Sequence, residues 1–165
     1  MNCLYHICRG NLKGKYLMPL NELKKIYPEI YKKQVKKYEW RKETLKIKIP
    51  PLNCLWNDVI HMMAIHPKKI KNAFDKAGGN LEFKRWFKIN PKLLDKNNAI
   101  ITMGENSYIK FEPKELKKYN KISTKTFDYY KEKLDKNEIV LLFYKTHPIL
   151  YKGKLKIADL EVIEI

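Results

Sequence analysis

The four histidines stand at positions 6, 61, 66 and 147. By type they are the side chains best suited to proton transfer near neutral pH. His6 lies inside the short apolar run 4–8, as a hydrogen-bonded core imidazole or as one turned toward a ligand. His61 and His66 are five apart, a spacing that turns them to opposite faces of a strand. No cysteine or carboxylate stands beside them to complete a metal site. His66-Pro67 reads as the cap of a helix, and His147-Pro148 as a turn. Among the carboxylates Glu138 stands out, at the mouth of EIVLLFYK and in phase with Val140, Leu142 and Tyr144. There it serves as a solvated strand end, or as a group at the lip of a cleft that binds a ribose hydroxyl or polarises a nucleophile. The block LWNDVIH gathers Trp56, Asn57, Asp58 and His61. An indole beside amide and carboxylate groups suits a base or a nicotinamide ring, and equally a core tryptophan with Asn57-Asp58 closing a turn. The chain has no GxGxxG, GxxxxGK[ST] or GxSxG, so dinucleotide-fold, P-loop and serine-hydrolase chemistry find no support. Gly10 and Gly14, flanking Asn11, Leu12 and Lys13, give a single weak phosphate-cradle signal.

The elements that must position these residues are short and mixed. Residues 4–8, bounded by Arg9-Gly10, form a first strand. Asn21 caps a helix over 22–27, and Pro28 opens another through Tyr38. Ile30, Val35 and Tyr38 make its apolar stripe, and Lys32, Lys33, Lys36 and Lys37 occupy its wet face. After Pro50-Pro51, residues 54–65 read as a buried strand preceded by a turn. Pro67 then opens a helix that Gly78-Gly79 ends. Residues 83–89 alternate as a half-buried strand, Asn90-Pro91 starts one helical turn, and 99–103 pairs through a 104–107 turn with 108–111. Helices follow over 113–119 and 123–134, then strands at 138–145, 149–151 and 160–165. Helices and strands intermingle without βαβ alternation, so the expected class is α+β, one domain over 1–165.

Composition sets the partners. The formal charge is +17 and the aromatic content 12%. Charge of that size draws a protein to nucleic acid or other polyanions. All but Arg9, Arg41 and Arg85 of the 35 basic residues are lysine. Lysine is a hydrated point charge and lacks the planar fork that reads phosphates and base edges. No run of roughly 18 apolar residues offers a membrane span. Three cysteines without a CxxC pair read as thiols of a reducing compartment, and the amino terminus lacks a signal-peptide pattern. The expected location is cytoplasmic.

In this order the blocks resemble a known family. LYHICRGNL is similar to the opening strand of DarT- and KptA-type ADP-ribosyltransferases, and DVIHMMAIHP to their second block. FKRWFKINPKLLDKNNAIIT resembles the family's strand–turn–strand, and NEIVLLFYKTHPILYKGKLKIADLEVIEI its closing segment. The whole chain also resembles a family of small Gram-positive bacterial proteins with KGK-L-PLN, LWNDV and LYKG blocks, a likeness that implies no activity. The transferase resemblance implies a split β-sheet with peripheral helices and NAD in its cleft. His6 would hold the nicotinamide ribose, and Arg9 and Asn11 would approach the pyrophosphate or adenosine. Trp56, Asn57 and His61 would line the cofactor pocket, with Trp56 or His61 at the nicotinamide. Glu138 would stabilise the oxocarbenium-like transition state. The chain departs from that pattern in a lysine-rich helical insert after His6, in lacking a plain central Tyr or Ser-Thr-Ser element, and in having no acidic residue two positions before Glu138. Two readings therefore stand: a transferase acting on a nucleic-acid or protein target, and a non-enzymatic basic nucleic-acid-binding or regulatory module.

Overall fold

The computed structural model of the chain describes residues 2–10 and 12–165. In chain order these form β1 (Leu4–Ile7), β2 (Tyr16–Leu17), α1 (Leu20–Ile26), α2 (Pro28–Val35), β3 (Lys48–Ile49), β4 (Cys54–Leu55), β5 (Ile60–Met62) and α3 (Pro67–Lys76). There follow β6 (Arg85–Ile89), β7 (Ala99–Gly104), β8 (Ser107–Lys110), α4 (Thr124–Asp135), β9 (Ile149–Tyr151), β10 (Leu155–Lys156) and β11 (Glu161–Glu164). The class is α+β, with every strand pair antiparallel.

Two sheets carry the architecture. One has the order β1-β6-β11 and the other β5-β9-β7-β8. Their middle strands are the most apolar: Trp86, Phe87 and Ile89 in β6, and Ile149 and Leu150 in β9, are all buried. A strand covered on both faces has no use for polar alternation. Trp86 still places its indole N–H on the Phe83 carbonyl at 3.1 Å. Among the described residues the backbones of the two sheets pair at one ladder step. Tyr5 N–H donates to Met63 O at 2.9 Å, and Met63 N–H to Tyr5 O at 3.1 Å.

That bridge also sorts the core. Leu4 and Met62 join one apolar cluster with Phe87, Ile101, Phe111 and Ile149. Their neighbours Tyr5 and Met63 join a second, with Trp86 from β6, Ile70 and Phe74 from α3, and Tyr130 from α4. Successive strand residues point to opposite faces, so a one-residue step changes the partner cluster. A third cluster, Ile49, Leu52, Val59, Ile100 and Leu150, lies around the other sheet. The pair α1–α2 builds a fourth from Leu20, Leu23 and Ile30, and it seats Tyr38 against Trp56.

Local sequence explains most element ends. His66 Nδ1 accepts from Lys68 N–H at 3.2 Å, so His66 caps α3. Ser123 Oγ accepts from Thr126 N–H at 3.1 Å and caps α4, and Asn90 Oδ1 does the same for the turn at Pro91. Gly104 (φ 140°) and Asn106 (φ 55°) supply the positive angles of the β7–β8 hairpin.

Four expectations need correction. Asn21 does not cap α1, which starts at Leu20 after Pro19; its amide instead donates to Asp58 Oδ1 at 2.8 Å. The apolar run 54–65 is not one strand, because a 3₁₀ turn at Trp56–Asp58 divides β4 from β5. Asp58 Oδ2 holds that turn by accepting from Leu55 N–H at 2.8 Å. Lys37 is not on a wet face. After Val35 the helix tightens to 3₁₀ over Lys36–Tyr38, and three residues per turn swing Lys37 into a half-buried position. Residues 138–145 are not a strand. Asn137 (φ 54°) and Lys145 (φ 67°) take left-handed angles at either end. Between them α4 captures the backbone: Tyr130 OH donates to Leu142 O at 2.6 Å, and Leu141 N–H donates to Tyr129 OH at 3.1 Å. Those groups are the ones a neighbouring strand would need.

Leu150 lies at the centre of β9 with no exposed surface. Leu150→Ala is expected to lower the unfolding free energy by about 2–5 kcal/mol in urea, with an unchanged denaturant slope. A loss below about 1 kcal/mol would contradict the packing described.

Candidate functional site

Beyond the Tyr5–Met63 bridge the two sheets part, and His6 and His61 stand at that point. By antiparallel register the next ladder partner of His61 would be Ile7. Instead the His6 ring fills the place, Nδ1–H donating to His61 O at 2.7 Å. That bond fixes the tautomer and leaves the His6 Nε2 lone pair unprotonated. Burial pushes the His6 imidazole down to about 4, helped by the nearby positive charges of Lys37 and Arg9. His61 is pushed down to about 3 by burial, then by Lys37 and His6. Both rings are neutral at pH 7, and His61 Nε2 is buried with no hydrogen-bond partner.

Aromatic rings wall the pair. Trp56 lies 4.6 Å from the His61 ring, centroid to centroid, and Phe143 meets His6 edge-on at 6.3 Å. Trp56 is set by the turn that Asp58 closes, and its indole N–H faces the hydroxyl of Tyr38. Burial raises that phenol to about 12, so it stays protonated. Asn57, beside Trp56, is 2% exposed and its Nδ2 has no partner. Asp58 serves the turn; Asn57 does not.

The charges are one-sided. Arg9 follows β1, half-buried, with its guanidinium 5.0 Å above the Phe83 ring. Lys37 is half-buried and lies 5.1 Å from the Tyr38 ring. Burial and then Arg9 bring the Lys37 ammonium down to about 8. Among the described residues neither cation forms an ion pair. With no carboxylate among them the two cations repel each other, and with the two neutral imidazoles beside them they suit an anionic or hydroxyl-rich ligand.

Lys37 also lines a cleft of about 1020 Å³ that runs between Arg41, the carboxyl end of α4 and the loop 138–145. Glu138 lies on this cleft, exposed and ion-paired with Lys133. It therefore shares a cavity with Lys37 but contacts neither histidine. The Arg41 guanidinium lies 5.0 Å from the Tyr144 ring on the same wall. Structure thus gathers His6, Arg9, Trp56 and His61 around Lys37 and Tyr38, with Asn57 adjoining. Glu138 stands apart on the cleft, and Asn11 lies outside the described residues. Among the described residues no three His, Cys, Asp or Glu side chains gather as a metal site would need. No helix of the described residues is long and apolar enough to cross a membrane.

Lys37, Tyr38 and Phe143 were not singled out by the sequence. In the lysine-rich segment 32–37 nothing distinguishes the one lysine that turns inward. The signal was next to it: Tyr38 continues the apolar stripe of α2, so residues adjoining it lie near the core boundary.

No protein-family model matches the chain, and no curated protein or solved structure matches it. The chemistry of the site is what bears on function.

In the unfolded chain both histidines ionise near 6.5, but in the folded one near 4 and 3. The unfolded state therefore binds more protons as pH falls below 6.5. Stability from this pair is complete above 6.5 and declines toward pH 4 for His6 and toward pH 3 for His61; by pH 5 the loss is about 2 kcal/mol for each ring. Unfolding free energies measured at pH 7 and pH 5 should differ accordingly, and the His6→Gln/His61→Gln double variant should flatten the difference. A wild-type protein equally stable at both pH values would contradict the burial of these rings.

Proposed function

We propose that the chain is an ADP-ribosyltransferase-like domain that binds NAD where the two sheets part. The observation that carries this reading is the cluster of Arg9, Lys37, His6 and His61, without a carboxylate, beside the Trp56 indole. NAD presents matching groups: a pyrophosphate dianion, ribose hydroxyls and flat rings. Arg9 meets the pyrophosphate. His6 Nε2, kept as an acceptor by the bond from Nδ1–H to His61 O, receives a hydroxyl of the nicotinamide ribose. Trp56 and His61 line the nicotinamide pocket, and the unpartnered nitrogens of His61 and Asn57 supply polar contacts there. Asn11, which the resemblance places toward the adenosine side, lies outside the described residues.

In the reaction the glycosidic bond to nicotinamide breaks, nicotinamide leaves with the bonding pair, and a nucleophile on the target forms the new bond at the ribose carbon. Positive charge grows on the ribose in the transition state. Glu138 stabilises it from the cleft after exchanging Lys133 for the ligand, a contact worth more as that charge develops.

A second reading, a basic module that holds single-stranded nucleic acid without turnover, is favoured by one observation. Trp40 is 82% exposed beside Arg41 on the wall of the same cleft. An exposed indole in a basic groove stacks on bases of any sequence.

The first reading predicts that millimolar NAD raises the melting temperature, by about 2.7 kcal/mol of stability at a hundred-fold excess over Kd. Arg9→Gln and His6→Ala remove the shift, whereas Glu138→Gln keeps it and abolishes nicotinamide release. If NAD gives no shift while single-stranded oligonucleotides bind with a steep loss in salt, the second reading replaces the first.

A further inference from the structure

Among the chain's lysines, Lys37 is set apart by its surroundings. Of the other lysines on the same cleft, Lys133 and Lys136 are held by Glu138 and Glu132, and Lys125 and Lys145 are exposed. Among the described residues Lys37 has no ion pair and no hydrogen bond, and its neighbours are Arg9, His6, His61 and the ring of Tyr38. It is half-buried yet lines an open cavity large enough for a small molecule. An amine beside another cation, in a partly dry place, loses its proton readily and becomes a nucleophile.

We propose that Lys37 is a covalent capture site for a small carbonyl compound bearing a phosphate or carboxylate group. The neutral Nζ adds to the carbonyl carbon, forming the C–N bond while the carbonyl oxygen takes up a proton. The carbinolamine then loses one water, leaving an imine at Lys37 with no change in oxidation state. Arg9 and Arg41 select for the anionic group, and the Tyr144 ring under Arg41 gives a flat ligand a wall. The positive charge of a protonated imine in this cluster is offset by the anion that arrives with it. Burial and Arg9 bring the amine to about 8. At pH 7.4 its neutral fraction is then roughly 200-fold that of an ordinary lysine.

This site shares Lys37 and Arg9 with the transferase reading but needs no NAD, so its test is run without that cofactor. The probe is pyridoxal 5′-phosphate, an aldehyde with a phosphate, added to the full chain at pH 7.4 without NAD. Cyanoborohydride, the reductant, converts any imine to a stable secondary amine, which peptide mass spectrometry locates. Lys37 is expected to label roughly ten-fold faster than the average of the other lysines, and several-fold faster than it does with pyridoxal, which lacks the phosphate. Lys37→Arg, which keeps the charge, should remove the fast phase. If that variant fails to fold, the site-resolved labelling of the wild-type chain decides alone. Labelling spread evenly over the surface lysines, or a fast phase that persists in folded Lys37→Arg, overturns the proposal, and neither outcome bears on NAD binding.

Discussion

Among the described residues the backbones of the two sheets meet in one reciprocal pair of hydrogen bonds, between Tyr5 and Met63. One step farther the ladder stops, while β1 keeps its pairing with β6 and β5 its pairing with β9. A ladder that stops leaves backbone groups to satisfy. Here the carbonyl of His61 is met by the His6 side chain in place of the Ile7 backbone. That substitution turns a strand junction into a place where side chains converge, and it fixes which nitrogen of His6 carries the proton. Trp56 reaches the same point through the turn that Asp58 closes, and Lys37 through the α1–α2 pair.

The electrostatic consequence follows from which residues converge. A +17 chain can place most of its charge in water at little cost, and most of its lysines are exposed. Arg9 and Lys37 are exceptions, half-buried beside two histidines that burial keeps neutral. Carboxylates elsewhere are spent on ordinary surface pairs, such as Lys88–Glu161 and Lys96–Glu112. Surface pairs of that kind contribute little to stability. The unpaired cations at the junction work against it, and a destabilising cluster that persists in a folded domain is characteristic of binding sites.

Much of the frame was legible from local chemistry. Pro28, Pro67, His66, Asn90 and Ser123 each announce a helical start by a mechanism that acts within a few residues, and the β7–β8 turn does the same through Gly104 and Asn106. The class, α+β, followed from the mixture of such signals. His6, Arg9, Trp56, Asn57 and His61 were legible as chemistry but not as a cluster, because one ladder step between residues 58 apart brings them together. Two misreadings share a cause. The run 138–145 has the composition of a strand, and Asn21 the type of a cap, yet both spend their hydrogen-bonding groups on distant partners: Tyr129, Tyr130 and Asp58. Lys37 was hidden differently, since a change of helical pitch rather than of composition turns it inward.

The central claim is that the one-sided charge at the sheet junction is a ligand site. It is tested most directly by long-range ¹H–¹⁵N correlation NMR of the histidine rings during titration with ADP-ribose. The account predicts that the His6 and His61 ring nitrogens shift with saturation while His66, half-buried at the cap of α3, stays put. Unmoved His6 and His61 signals at saturating ADP-ribose, or equal shifts at His66, would contradict it.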